Sequence, residues 1–412
     1  MPLREILGQP QVTGALRRAL THDRLHHALL FHGPDGVGKR ASAVAFAQLL
    51  LCKRPVSAPV SAPVSADAGG AGAEGAEAET LLETLLDACG ECGACVRVSR
   101  AFDPETRALH PDLHIVERGL NDSGQLRKKI VVEQMREMQT AVRYVAYEGG
   151  WRVVYIEDVD LMEDSAANAF LKTLEEPTEG VHFLLTTRNL RGVLETIISR
   201  CQTVRFAPLP TAAITTLARR HPKGAALSDA AAQTLARLSG GSIGLALHWL
   251  EADLSGGARE RGGGWEEALS AFVLSQVRAL DGSSGARALA QAWEALKPYA
   301  SSKQDAELRR LLYLLSAWYR DVMVLMHDRG APSELLTYPT LRAESLGRAE
   351  RLSFSQVRWR LQAIQDAERD LFERTGGNRQ LILDALALYL AGLDAGVGAP
   401  LYPPAHAAHG AL

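Results

Sequence analysis

Five short, almost uninterrupted apolar runs punctuate the first half of the chain. They are ALLFHG at 28–33, LHIVE at 113–117, RVVYIED at 152–158, HFLLTT at 182–187 and TVRF at 203–206. Runs of this length with little polar alternation are expected of strands covered on both faces. Amphipathic stretches lie between them. In SAANAFLKTLEE, Ala167, Phe170, Leu171 and Leu174 fall at i, i+3, i+4 and i+7, and Pro177 closes the element. Strands alternating with helices predict a parallel sheet with helical crossovers. The APLP at 207–210 marks a boundary, beyond which the strand signals fade. A helical segment runs from Thr211 to about Leu250, the glycine-rich SGGARERGGG reads as a linker, and a longer helical stretch reaches about Leu393. The expected organisation is an α/β domain at 1–207, a small helical domain at 208–255, a larger helical domain at 263–395 and a tail at 396–412.

One segment fits none of these. PVSA occurs three times at 55–66 and is followed by DAGGAGAEGAEAE. No periodic apolar face is present to offset the ordering entropy, so about 54–82 is expected to be a disordered surface insertion. Composition narrows the rest: 412 residues, 47% hydrophobic and 23% charged, are ordinary globular values. The formal net charge of -3 gives no overall basic field for nucleic acid. No apolar run approaches a membrane span and the amino terminus lacks a secretory core, so a cytoplasmic protein is expected. Five cysteines in such a chain argue for metal binding or burial rather than a disulfide framework.

The first candidate chemistry follows the first apolar run. GPDGVGKR, Gly33 to Arg40, matches the phosphate-loop consensus G-x-x-x-x-G-K-[S/T] except at its last position. Gly33, Gly36 and Gly38 let backbone N–H groups turn toward phosphate oxygens, and Lys39 adds positive charge at a helix start. Arg40 stands where a hydroxyl would hold Mg²⁺, and a guanidinium has no lone pair to give. A second change follows RVVYI: Glu157 and Asp158 reverse the usual order of a metal-holding Asp and a water-orienting Glu, which displaces a reacting group by roughly 1 Å. ATP binding is left open by the retained glycines and lysine, and hydrolysis is not expected.

The cysteines give the sharper pattern. Cys89, Cys92 and Cys95 form two overlapping C-x-x-C spacings in CGECGAC, and Cys52, at the end of the helix after the phosphate loop, is the candidate fourth ligand. The intervening insertion adds little to the closure cost. Four thiolates leave no open coordination position, so the expected role is a structural zinc site. Cys201 reads as a small buried apolar residue.

HHALLFHGPDGVGK, the four cysteines, HPDLHIVE, NAFLKTLEEP, HFLLTT, TIISRC and RTGGNRQLILDALALYL occur here in the order seen in the bacterial clamp-loader subunits of the AAA+ class, which the chain resembles over nearly its whole length. The resemblance implies a RecA-like parallel-sheet domain with a zinc module, a small helical lid and a carboxy-terminal helical collar for oligomerisation. It adds Thr187, at the end of HFLLTT, to the degenerate nucleotide site. Motor members carry an arginine in a G-S-x-R-x-A-L helix; the corresponding stretch here, Gly241 to Leu247, has Gly244 in that place. Three altered parts point to a non-hydrolysing stator rather than a motor. Arg200 of the SRC motif is then implied to be a trans arginine finger, completing the ATP site of a gamma/tau neighbour. The implied partners are gamma/tau and delta subunits in a hetero-pentamer, with the sliding clamp and primer-template DNA reached through the complex. Two other readings stay open: an active clamp-loader ATPase, and a zinc-dependent nucleic-acid adaptor built on CGECGAC.

Overall fold

The computed structural model describes residues 1–59, 84–103, 110–121, 124, 126–251, 265–281, 286–301, 304–372 and 378–392. Most of the PVSA insertion, Gln125, the glycine-rich linker and the tail lie outside them. The chain divides into two compact units. One holds Met1–Pro222 and Ser239–Leu250, the other Lys223–Leu238 and Glu251–Leu412.

In the first unit all five apolar runs become strands of one parallel sheet. They are β1 (Ala28–His32), β4 (Leu113–Val116), β5 (Arg152–Ile156), β6 (Val181–Thr187) and β7 (Gln202–Arg205), in the order β4-β5-β6-β1-β7. Helices α1 (Pro10–Thr21), α2 (Lys39–Leu51), α3 (Gly93–Ala101), α4 (Val132–Val142), α5 (Asp164–Glu175) and α6 (Glu195–Ile198) accompany them, and α7 (Thr211–Arg220) follows. Alternate strand residues enter separate cores on opposite sides of the sheet. Leu29, Phe31, Val153 and Tyr155 pack with Phe46 of α2 and Val98 of α3. Ala28, Leu30, Val154 and Ile156 pack with Met135 and Met138 of α4 and Phe170 and Leu174 of α5. The uniform apolarity of the runs therefore has a physical cause, since both faces are covered.

The insertion departs from its expected character at its flanks. Residues Val56–Pro59, from the first PVSA repeat into the start of the second, form β2, which pairs antiparallel with β3 (Thr84–Asp87). A reading based on apolar burial missed the polar support. The Arg17 guanidinium, 2% exposed, donates to the carbonyl oxygens of Pro59 (3.0 Å), Leu85 (2.7 Å), Leu86 (3.0 Å) and Ala58. A buried cation stays charged when carbonyl oxygens replace its hydration, so the hairpin and α1 specify each other. The buried Asp87 carboxylate likewise accepts from the backbone N–H groups of Leu3 (3.1 Å) and Arg4 (2.9 Å).

The second unit is helical: α8 (Asp229–Leu238), α10 (Trp265–Asp281), α11 (Ala286–Leu296), α12 (Asp305–His327), α13 (Arg342–Arg351), α14 (Phe354–Phe372) and α15 (Arg379–Gly392). Leu308, Leu311, Leu312, Leu315, Tyr319 and Val322 make the buried stripe of α12 at helical spacing. That helix packs against α13 and α14, while α11 packs against α10 and α15. The buried carboxylate of Asp321 receives the N–H groups of Thr337 (2.9 Å) and Tyr338 (2.8 Å), pinning the loop after α12. Between Leu238 and its return to this unit, the chain forms α9 (Ile243–Glu251), of which residues up to Leu250 belong with the first unit. No helix among the described residues is long and apolar enough to cross a membrane.

Several histidines of the first unit are held neutral. Burial lowers the pKa of His27, His110, His114 and His182 below the ordinary 6.5. Unfolded histidines then bind protons that folded ones refuse, so stability falls as pH drops below about 6.5, by at most about 1.4 kcal/mol per pH unit for each histidine. Thermal unfolding between pH 7.5 and 5 should show this loss. His182→Phe, which keeps an aromatic ring against Trp151, should give a shallower slope.

Candidate functional site

β1 lies between β6 and β7, and the chain leaves its carboxyl end into the glycine loop, so the loop occupies the position where open α/β sheets bind ligands. Here the loop's lysine is engaged from within the protein. The buried Lys39 ammonium donates to the carbonyl oxygens of Gly33 and Pro34, both at 2.6 Å, and lies 3.8 Å from Asp35. Burial lowers its pKa, against the opposing pull of Asp35, Asp158 and Asp160. Arg40 Nη1 donates to both carboxylate oxygens of Glu157, at 2.9 and 3.0 Å, a pair forked at the carboxylate, and Nη2 donates to the Phe102 carbonyl at 3.3 Å. The guanidinium stands 5.7 Å from the centre of the Phe102 ring. Glu157 is thereby engaged by the residue that replaces the hydroxyl.

The remaining loop residues differ in how closely they are packed. Gly33 packs under the Phe206 carbonyl, and Gly38 faces open space. Gly36 has φ +72, and its carbonyl accepts a hydrogen bond from the Gly244 N–H at 3.2 Å. A Cβ on Gly36 would stand 2.9 Å from the Gly244 nitrogen and closer still to the Ser242 hydroxyl, and a Cβ on Gly244 would stand 3.0 Å from the Gly36 Cα. The two glycines meet backbone to backbone. Ser242 caps α9 by accepting the Leu245 N–H at 3.1 Å, which fixes the helix start over the loop. Asp158 adopts φ +50, and burial raises its carboxyl pKa, with the neighbouring Glu157 and Asp160 adding to the shift. Thr187, fully buried, donates to Asp160 at 2.6 Å and accepts from the Asn189 N–H at 3.0 Å. The Ser242 contact was not legible in the sequence, where only Gly244 was singled out.

Arg200 lies elsewhere. It precedes β7, and Glu175 ends α5, so topology places both toward the amino-terminal edge of the sheet. Arg200 donates to Glu175 at 2.7 Å and to the Thr196 carbonyl at 2.9 Å. The pair is exposed, at 35% and 50% for the two side chains, so its stabilisation is well under 1 kcal/mol and opening it is easy.

The four cysteines come together although 36 residues separate Cys52 from Cys89. Their sulfurs all lie within 4.8 Å of one another, with Cys52 to Cys89 at 3.6 Å, Cys52 to Cys92 at 3.9 Å and Cys89 to Cys95 at 4.0 Å. Zn–S bonds of ~2.3 Å in a tetrahedron set sulfurs about 3.8 Å apart, so the group fits a zinc ion. For Cys92, burial pushes the thiol up, but backbone N–H donors from Cys95 and Lys53 outweigh it and bring the pKa to about 6. Backbone donors likewise lower Cys89, while burial raises Cys52 and Cys95. Cys201 is apart from the group; burial raises its thiol to about 12, and it packs against the second core of the sheet.

Known proteins resemble this chain over most of its length. A family model described as "DNA polymerase III, delta subunit" matches residues 8–64 and 77–210. The chain is similar to DNA polymerase III subunit delta' of Escherichia coli K12, with 30% identity over 366 residues covering 89% of each chain. It is similar to the delta' subunit of Pseudomonas aeruginosa PAO1, with 29% identity over 377 residues, 89% of this chain and 92% of that protein. It is also similar to the gamma/tau subunit of Mycobacterium tuberculosis H37Rv, with 27% identity over 366 residues, 86% of this chain and 56% of that protein.

The metal group makes a direct expectation. Metal analysis of the purified chain should find about one zinc per molecule, and Cys89→Ser/Cys92→Ser should abolish it. Because metal binding to such a site is folding free energy, the variant should melt at least about 5 °C lower.

Proposed function

The chain belongs to the DNA polymerase III delta' family, and we propose that it is a clamp-loader subunit that does not hydrolyse ATP itself and lends Arg200 in trans to the ATP site of a gamma/tau neighbour. The observation that carries this reading is the forked Arg40–Glu157 pair. It puts a cation where Mg²⁺ would be held and engages the carboxylate that stands in the place of the metal-holding Asp. Lys39, turned onto its own loop, and Gly244, which offers no side chain to a γ-phosphate, support the same conclusion. Each feature removes a separate part of phosphoryl-transfer chemistry.

Arg200 suits the opposite task. Its fork matches phosphate oxygens, and its exposed partner Glu175 yields at little cost when a stronger anion approaches. Residues 1–207 would serve as the AAA+ domain with its zinc module, 208–255 as the lid and 263–395 as the oligomerisation collar. In α15, Leu381 and Leu388 are 60% and 38% exposed, seven residues apart and thus on one face. Such a stripe suits burial against a second helix in a hetero-pentamer of gamma/tau and delta subunits working on the sliding clamp and primed DNA in the cytoplasm. The four thiolates would hold zinc structurally, with no open position for chemistry.

Steady-state ATPase assays test the reading. The isolated chain should be silent, and Arg40→Ser should leave it silent, because Lys39 and Gly244 are unchanged. In the assembled loader with clamp and primed DNA, Arg200→Ala should slow the site it serves by roughly 10³-fold or more, so that total turnover falls several-fold. ATP hydrolysis by the isolated chain at the motor's rate would overturn the proposal in favour of an active ATPase. For the collar, Leu381→Asp/Leu388→Asp should shift the chain from the complex to the free fraction in size-exclusion chromatography while leaving its own melting temperature within a few degrees.

A further inference from the structure

The segment joining α4 to β5 has an uncommon combination of exposure and support. Tyr144, Val145 and Tyr147 are 69%, 84% and 83% exposed, among the most exposed large apolar side chains of the described residues. Beneath them lies a buried ion pair. Arg152 donates to the carbonyl oxygens of Val145 (2.9 Å) and Ala141 and reaches Asp112 at 3.4 Å. Asp112, 1% exposed, accepts the N–H groups of Tyr147 (2.6 Å) and Glu148 (2.8 Å). Burying two charges contributes little net stability and is best attested as a device that fixes one conformation. Here what it fixes is a loop that presents two tyrosines to solvent.

The surroundings are cationic. Glu148, next to Tyr147, is bound by Arg97 of α3 and by Lys53, whose ammonium also donates to the Glu148 carbonyl at 2.9 Å. The loop therefore sits against the metal module. Arg54 adjoins Lys53, Arg100 lies one turn beyond Arg97, and Arg143 adjoins Tyr144; all three are exposed. In these stretches of sequence the five cations outnumber the acids Glu91, Asp103, Glu148 and Glu179, against the negative net charge of the whole chain.

We propose that the Tyr144–Tyr147 loop and the basic residues beside it form a binding site for single-stranded nucleic acid. Flat rings held outward stack on unpaired bases whatever their sequence, and flanking cations follow the phosphates. A duplex hides its base faces, so the rings add nothing there. A protein partner fits less well, since Val145 is the one exposed large aliphatic side chain of this segment. The proposal is independent of the role given to Arg200.

Fluorescence anisotropy of the full, zinc-loaded chain with labelled oligonucleotides of about 20 residues tests it: dT, rU and a duplex of equal length. Binding to the single strands should exceed binding to the duplex and weaken steeply with salt; the dT and rU arms decide between DNA and RNA. Tyr144→Ala/Tyr147→Ala should weaken it at least about tenfold with the salt slope unchanged, whereas Tyr144→Phe/Tyr147→Phe should retain it. Arg100→Ala/Arg143→Ala should reduce the salt slope by about 1 to 1.5. Melting temperatures of all variants should match the parent, and the Phe pair preserves the test should the Ala pair fold poorly. No binding at low salt, equal affinity for the duplex, full binding by the Ala pair, or loss of ring-bearing Phe variants would overturn the proposal. Loss of a protein subunit from the assembly with nucleic-acid binding intact would reassign the loop to a protein contact.

Discussion

A parallel sheet covered by helices on both faces has nowhere to do chemistry except at its two ends. That constraint organises the first unit of this protein. Residues of β1 and β5 are divided alternately between two cores, so neither face is available to a ligand. The carboxyl end receives the glycine loop, Glu157, Asp158 and Thr187. Toward the amino end lie the cysteine group, the tyrosine loop, Arg200 and Glu175, because crossover helices return the chain there.

At the carboxyl end the alterations are mutually consistent. Without Glu157, Arg40 would keep the Phe102 carbonyl and ring as partners, and the charge of Glu157 beside Asp158 is offset by Arg40. Lys39 finds two carbonyl acceptors in the loop, which lessens its need for an anion. Gly244 permits α9 to approach Gly36 closely, and an arginine there would have to displace the loop or the helix. The loop's lysine and its Gly36 carbonyl are thus engaged internally.

At the amino end two ion pairs behave differently for a simple reason of dielectric. Arg200–Glu175 is exposed and opens easily. Arg152–Asp112 is buried, and removing one partner would strand the other charge, a loss of about 3–5 kcal/mol in comparable cases. One pair is releasable and the other is a fixed support.

Strands were legible in the sequence because burial on both faces leaves long apolar runs, and the helix containing Phe170 and Leu174 because one-sided burial leaves a 3.6-residue period. The cysteine spacing and the substituted loop positions were legible because those chemistries depend on residue type and short separations. What only the tertiary structure decided depends on groups distant in sequence. Arg40 and Glu157 lie 117 positions apart, Asp112 meets Arg152 across 40, and Arg17 finds the PVSA carbonyls 41 and 42 residues away. Local periodicity carries no signal for such pairs, because a buried charge is tolerated only where folding delivers its partner. Residue pattern determined the elements of this protein, and the tertiary structure decided which charge meets which and which carbonyl meets which cation.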